Sequence, residues 1–570
     1  MRLPLAAAAA AVLAAVVPSQ GRKDYALDIA WNRLYDYDEV TTLCDRLQAT
    51  WPKFITKLAL GQSSEGRTVW MLVVNQPDTG ADTAKPAFYS DANIHGNEVQ
   101  GAETNLYLVW YLMEHYGKLD RVTELVDRVA WYIVPSVNVD ARAHWFAEAN
   151  TSSSFRSGAM PLDSDGDGLK DEDPADDLDG DGHITRMRKR VPLGEGTHRE
   201  MRDHPGVMER VRGDVPGDWI LLGSEGIDND GDGRVNEDGP GGYDMNRNWP
   251  SGWAPGYIQF GAGNYPLSQP ETRGIADFIL EHPNIAGAQA FHNAGGMILR
   301  GPGHAEYGNY PAPDVRVYDE LGKDGEFMLP FYRYMVIHKD LYTVWGGFVN
   351  WTYEGLGIFS FTNEMWSSRR MMQAADRLSA EDRRRWDDLL TLGENYRPWQ
   401  PYEHPLYGAI EIGGSAQMTG RLPPTWLMEE ELHRNAAFVM RHAEQMPEPI
   451  LGEPLVRVAA GGLRYVDVEV RNDRLIPTRS RLAADKKIGL PDRLEIAGPS
   501  LRVIAGGEPI DRHRLMRIEL QQRDPARLRR EGGVPSRGVW HARWIVAGAG
   551  PFTVHYRAEK GRDQTVDGSL

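Results

Sequence analysis

The sequence predicts an α/β domain on a mixed or largely parallel sheet flanked by helices, followed by a separate all-β sandwich. Three observations predict it. Short β-rich runs alternate with helix-period segments between about residues 54 and 445. A Pro-rich boundary, Met446-Pro-Glu-Pro-Ile-Leu-Gly-Glu-Pro454, then interrupts the chain. Beyond it only β-type runs follow.

Length agrees with more than one domain, since single cores rarely grow beyond roughly 250–300 residues and the chain has 570. The net charge of -18, from 81 acids against 63 bases, argues against a nucleic-acid partner. One Arg precedes an apolar run from Leu3 to Val17, then Pro18 and small residues. Residues 1–20 read as a signal peptide with cleavage near 19–21, which places the mature protein outside the cytoplasm, secreted or periplasmic. The run is shorter than the ~20 apolar residues a membrane span needs, and no later stretch reaches that length, so no span is expected after cleavage. Cys44 is the only cysteine, which excludes an intramolecular disulfide; it reads as a small buried hydrophobe.

The predicted catalytic domain covers 28–445. Tyr35, Leu43 and Leu47 fall at helical spacing. Residues 54–60 read as a strand, 61–66 as a turn, and Thr68–Val74 as a continuous apolar strand. Residues 85–90 form a strand running into the loop Asp91-Ala-Asn-Ile-His95-Gly-Asn-Glu98. A helix over 103–116 and a buried strand over 129–134 follow. After residue 244, Ser268-Gln-Pro-Glu271 reads as a capping box for a helix over 272–280. Residues 285–291 form a strand ending at His292, and 357–362 one ending at Glu364. Helices are expected over 375–392 and 429–445. In the sandwich domain, 455–570, strands are expected over 465–470, 494–496, 501–504, 516–520, 539–546 and 552–556.

An acidic insertion occupies about 150–240. Asp163, Asp165 and Asp167, then Asp177, Asp179 and Asp181, then Asp228, Asp230 and Asp232 each occupy a D-x-D-x-D-G segment. Carboxylates at alternate positions can wrap a hard cation, and the Gly permits the sharp turn. Carboxylates this dense repel unless neutralised, so these loops are expected to take Ca2+ in a structural role.

His95 and Glu98 stand three residues apart, a spacing that puts both side chains on one face of a first helical turn. His292 ends a strand of the same sheet. Sites of open α/β sheets form at such strand ends, so the three can meet as a His2Glu set with one position open, the donor set of a catalytic Zn2+. Such chemistry needs a further carboxylate to take and return a proton, and Glu364 is the candidate.

The order of these parts resembles the zinc carboxypeptidase family of the pancreatic type, over about residues 28–445. His-Gly-Asn-Glu at 95–98 looks like the first zinc motif of its regulatory branch, and Asp244-Met-Asn-Arg-Asn-Trp249 like its carboxylate-binding motif. His292 lies at the third ligand's spacing. Tyr342 precedes Glu364 with Gly346-Gly347 and Trp351 between them, as in the family. The resemblance implies that His95, Glu98 and His292 bind zinc and that Glu364 is general base and acid. It implies that Asn246 and Arg247 hold the substrate carboxylate, that Tyr342 closes over the substrate, and that Asp244 orients His95. The oxyanion-stabilising Arg is sought in the cluster 186–190, as Arg188. Val349 falls where the family sets side-chain preference; a neutral residue there points to an apolar or uncharged terminal residue. Two departures stand out: the long acidic insertion, and Asn293-Ala294 after His292, where digestive members carry Ser-Tyr.

The expected function is a secreted zinc metallocarboxypeptidase acting on peptide or protein C-termini. A murein peptide peptidase or amidase would use the same chemistry. A calcium-dependent binding protein on an inactive peptidase scaffold is the reading from another class.

Overall fold

The structure, a computed structural model, describes residues 25–151, 154–163, 166–371, 373, 378–416, 420–511 and 517–570. Residues 1–20, expected to be a signal peptide, and Asp165 lie outside the described residues.

The first domain is organised on an eight-stranded sheet. Its order is Ile55–Gln62, Thr68–Val74, Ala130–Val134, Ala87–Ala92, Ile285–Asn293, Phe359–Met365, Met297–Arg300, Arg333–Val336. The four middle strands, from Ala130–Val134 to Phe359–Met365, are parallel to one another, and antiparallel pairs flank them. The parallel register sets Glu364 opposite His292 and Ala92 opposite Phe291. Three strand ends thereby open on one edge.

Strand periodicity divides the core. Leu72, Phe88, Trp131 and Phe361 pack on one face against the helices Gln100–His115 and Thr425–Glu444. Met71, Tyr89, Tyr132 and Ala288 pack on the other against Pro270–Glu281 and Phe348–Leu356. Both faces are covered, which explains why these strands read as unbroken apolar runs. Cys44 is fully buried in the first of these cores.

His442 sits between Phe88 and Phe361, edge-on to both, and neither ring nitrogen has a hydrogen-bond partner among the described residues. Burial pushes its pKa down to about 3. The unfolded imidazole titrates near 6.5, so between those values the unfolded chain binds more protons. Stability is therefore expected to fall as pH drops through about 6.5 towards 3. Urea denaturation of a His442→Leu variant should show a shallower loss over that interval.

Two local expectations need correction. The helix Pro270–Glu281 starts at Pro270 with Gln269 as its cap and no side-chain capping bond; Ser268 accepts from Asn248 Nδ2 instead. The charged helix expected over 375–392 starts at Ala380 with a Ser379–Asp382 capping box and runs as an α-helix to Trp386, then as a π-helix over Asp387–Thr391, while 374–377 lie outside the described residues.

The insertion is more than loops. Arg186–Arg190, Trp219–Ser224, His198–Met201 and His204–Arg210 join the hairpin Tyr396–His404 and Gly408–Ser415 in a six-stranded antiparallel sheet. Met187, Ile410 and Ile412 form its small core.

Beyond residue 448 two antiparallel sheets face each other. One contains Arg464–Asn472 and Gly538–Gly548, the other Asp492–Ala497 and Pro551–Arg557. Val466, Trp540 and Trp544 from the first interleave with Leu494, Val554 and Tyr556 from the second. This part docks on the first through Lys560, whose Nζ donates to the carbonyls of Pro283 and Ile285. Asp314 completes the contact by accepting from the Arg481 and Leu482 amides. Among the described residues no helix is long and apolar enough to cross a membrane.

Candidate active site

The loop carrying His95 is shaped by Asn93, which leaves the strand at φ 57°. Its Nδ2 donates to the carbonyls of His95 (2.7 Å) and Gly96 (3.0 Å), while its Oδ1 accepts from Ser136 Oγ and Arg142 Nη1. Arg142 is itself buried and paired with Glu103 at 2.7 Å. Position 96 must be Gly, because a Cβ there would come within 2.2 Å of the Ala141 Cβ and 2.3 Å of the Phe155 carbonyl. The helix starts only at Gln100, so His95 and Glu98 share a turn before it rather than its first turn; the Glu98 amide closes that turn on the His95 carbonyl at 3.1 Å.

Three buried side chains converge here. His292 Nδ1 lies 2.8 Å from Glu98 Oε2 and 3.2 Å from His95 Nδ1, and His95 Nδ1 lies 3.1 Å from Glu98 Oε1. The Asp244 carboxylate meets His95 Nε2 at 2.9 Å. A carboxylate only accepts, so Nε2 carries the hydrogen and Nδ1 turns its lone pair to the centre. Tetrahedral zinc, with bonds of about 2.0–2.1 Å, sets neighbouring ligand atoms about 3.3 Å apart. The donor chemistry and the spacing both fit that ion. Burial raises the Glu98 carboxyl, but the electrostatic pull and hydrogen bonds of the His95 and His292 rings outweigh it and hold the group well below the usual range. Asp244 is held down in the same way, against its burial, by His95 and Arg247.

Glu364 stands beside this cradle on the neighbouring strand. Burial first, then the charge of Glu98, push its carboxyl up to about 7, against the pull of His292, Arg156 and Arg421. Asn246 and Arg247 lie on a single turn capped by Asp244, whose Oδ1 accepts from the Asn246 amide at 2.8 Å. Asn246 Nδ2 reaches His292 Nε2 at 3.3 Å, and its Oδ1 accepts from the Phe348 amide. Gly346, at φ 63°, packs directly on the Arg247 carbonyl, leaving no space for a side chain. Val349 is buried with Leu299, Ile337 and Val344. Tyr342 is half exposed on the segment leading to Gly346.

Arg188 is elsewhere. Its guanidinium is stacked between Trp219 and Trp399, at 4.0 and 4.2 Å, and paired with Glu411 and Glu200 in the insertion sheet. The guanidinium at the cradle belongs to Arg156, which the sequence reading missed. Its Nη1 is 2.7 Å from Glu98 Oε1 and its Nη2 is 3.1 Å from His95 Nε2. Arg421 approaches Glu98 more distantly, at 3.7 Å.

In the insertion, Asp163, Asp177 and Asp228 each accept from the amides of both glycines of their own loop. Asp177, Asp179 and Asp181 bring carboxylate oxygens within 4.8 Å of one another, as do Asp228, Asp230 and Asp232. Asp167 is grouped instead with Glu172 and Asp230.

A sheet of this kind with a buried His2Glu cradle at its strand ends defines the class, an α/β protein with a donor set of the sort catalytic zinc takes. Residues 40–158 and 223–388 match the family profile described as zinc carboxypeptidase, Peptidase_M14. The chain belongs to that zinc carboxypeptidase family. The gap in the match, 159–222, falls inside the acidic insertion. Residues 452–568 match a domain family of unknown function, DUF8731.

Among relatives, carboxypeptidase D of Rattus norvegicus is 33% identical over 140 residues, 25% of this chain and 10% of that protein. The chain thus spans about a tenth of the length of the carboxypeptidase D relatives it matches. Carboxypeptidase A1 of Rattus norvegicus is 22% identical over 368 residues, 62% of this chain and 68% of that protein. Carboxypeptidase A from Helicoverpa armigera is a similar solved structure, with a TM-score of 0.45 and 17% identity over 74% of this chain and 76% of that one.

Proposed function

We propose that the protein is an exported zinc metallocarboxypeptidase that removes C-terminal residues from peptides. The observation that carries this is the convergence of His95, Glu98 and His292 with the Glu364 carboxyl beside them. Zinc, when held there, supplies a Lewis acid and a water whose pKa falls to about 7. Glu364 then accepts a proton from the attacking water and returns it to the leaving amine nitrogen. Arg156 stands where a guanidinium can donate to the oxygen that gains negative charge. Arg247, oriented by Nη1 on the Asn246 carbonyl, offers a fork for the substrate's terminal carboxylate. Tyr342 closes over the bound residue, and Val349 favours an apolar or uncharged one. The acidic loops, with their carboxylates at alternate positions, would take calcium in a structural role.

A peptide-library digest read by mass spectrometry tests the function. Release of single C-terminal residues, abolished by chelator and restored by zinc, is expected; internal cleavage or chelator-insensitive activity would refute it. Equal turnover of Arg-ended and Phe-ended peptides would refute the role given to Val349. Steady-state kinetics separate the two arginines. Arg156→Ala should lower kcat by about 10²–10³-fold, the usual effect of losing an oxyanion donor. Arg188→Ala should leave kcat/KM near wild type and lower Tm, because it removes a cation stacked between two indoles.

A further inference from the structure

The acidic insertion contains carboxylates that the D-x-D-x-D-G spacing does not predict. Asp163 and Asp228 open two loops of the same design, and each loop continues into a Glu-Asp pair, Glu172-Asp173 and Glu237-Asp238. The two pairs meet. Asp173 and Asp238 form an antiparallel bridge, with the Asp173 amide donating to the Asp238 carbonyl at 3.2 Å. Both are fully buried. Across the bridge, Glu172 faces Asp238 and Glu237 faces Asp173, carboxylate against carboxylate.

Both oxygens of Glu172, both of Glu237 and Oδ1 of Asp238 are shut off from solvent, and among the described residues no donor reaches them. Buried carboxylates left in this state are costly unless a cation meets them. Cation-sized groupings lie next to them. Glu172 comes within 4.8 Å of Asp167 and Asp230, and Asp230 also belongs to the Asp228–Asp230–Asp232 group, whose Asp232 charge acts on the Glu237 carboxylate. One carboxylate is thus common to two oxygen cages. An all-oxygen set with more acids than one divalent ion can neutralise suits calcium.

We propose that Asp167, Glu172, Asp230 and Asp238, with Asp228, Asp232 and Glu237, hold a pair of calcium ions bridged by Asp230, and that this pair clamps the neck of the insertion. The neck leads directly to the active site. The Asp171 amide donates to Asp238 Oδ2, and Asp171 Oδ1 accepts from the Leu162 and Gly241 amides. The Gly158 amide then bonds the Tyr243 carbonyl at 2.9 Å. Gly158 is two residues from Arg156, and Tyr243 adjoins Asp244. The value of the clamp for turnover rests on the hydrolytic function proposed above; the ion pair itself does not.

The test uses the full chain, stripped of divalent ions and reloaded with zinc, titrated with calcium chloride by calorimetry. Wild type should take up the two bridged ions with positive cooperativity. Glu172→Gln and Glu237→Gln, near-isosteric changes, should each weaken both ions by about tenfold or more, as loss of a charged ligand does in calcium loops. Asp179→Asn, in the middle loop, should leave the pair untouched. Calcium should slow proteolysis within 158–243 in wild type but not in the double Gln variant, whose fold is checked by circular dichroism without calcium. Unchanged calcium uptake in that double variant overturns the paired site, and calcium uptake with unchanged proteolysis overturns the clamp. Zinc content and amino-acid release are read on the same samples. Active enzyme that takes up no calcium refutes this inference alone; inactive zinc-loaded protein that binds the pair refutes only the hydrolytic reading.

Discussion

Replacing Glu364 with Gln is expected to lower kcat by about 10²–10⁴-fold, the range spanned by removal of a positioned general base, with zinc content unchanged. Gln keeps the size of the side chain and its place opposite His292 in the parallel register. It loses only the ability to accept and return a proton. Zinc analysis beside single-turnover kinetics separates this from loss of the metal, and near-normal kcat would remove Glu364 from the chemistry. The same variant has a second signature. In zinc-free protein the Glu364 carboxyl sits near 7, above its value near 4.3 when unfolded. The folded state therefore binds the extra proton, and stability is lost as pH rises through that window. Zinc-free Glu364→Gln should escape this loss and melt higher than zinc-free wild type above pH 7.

Removing His292 is expected to empty the site. His292→Ala leaves two donors where three converge within 3.2 Å. The lost affinity should exceed the roughly 10–100-fold that follows loss of an orienting partner. Asp244→Asn supplies that comparison, since it touches His95 Nε2 rather than the metal position. Competition titration with a zinc chelator ranks the three proteins. The expected order is wild type, Asp244→Asn, His292→Ala; a His292→Ala protein that still holds zinc as tightly as wild type would refute the assigned cradle. Turnover should follow the same order.

The cradle was legible in the sequence because its parts end strands. His292 and Glu364 close apolar runs, and parallel neighbours bring such ends to one edge. The capping residue Asp244 and the Asn246–Arg247 turn were legible by resemblance. Arg156 was not. It lies in a polar stretch without periodicity, while Arg186, Arg188 and Arg190 offered a denser but misleading cluster. Those arginines alternate because they lie on a strand, and one of that strand's two partners, Gly408–Ser415, is more than two hundred residues away. Pairing at that range leaves little trace in a local pattern. The Glu172 and Glu237 carboxylates escaped for a related reason: each lies beyond its motif, and only the fold sets the two loops against each other.

Lys560 gives one strand of the central sheet two masters. Its ammonium, pushed down to about 8 by burial, is bolted to the backbone at the foot of Ile285–Asn293, while His292 crowns the other end about 23 Å away by the usual rise of a strand. Shortening the chain before the sandwich would strip the donor from the Pro283 and Ile285 carbonyls and take Leu475, Ile476 and Leu482 out of the first core. The terminal module thus acts as a built-in keystone, and a trimmed chain should come out heat-labile and prone to clumping even with His95, Glu98 and His292 in place.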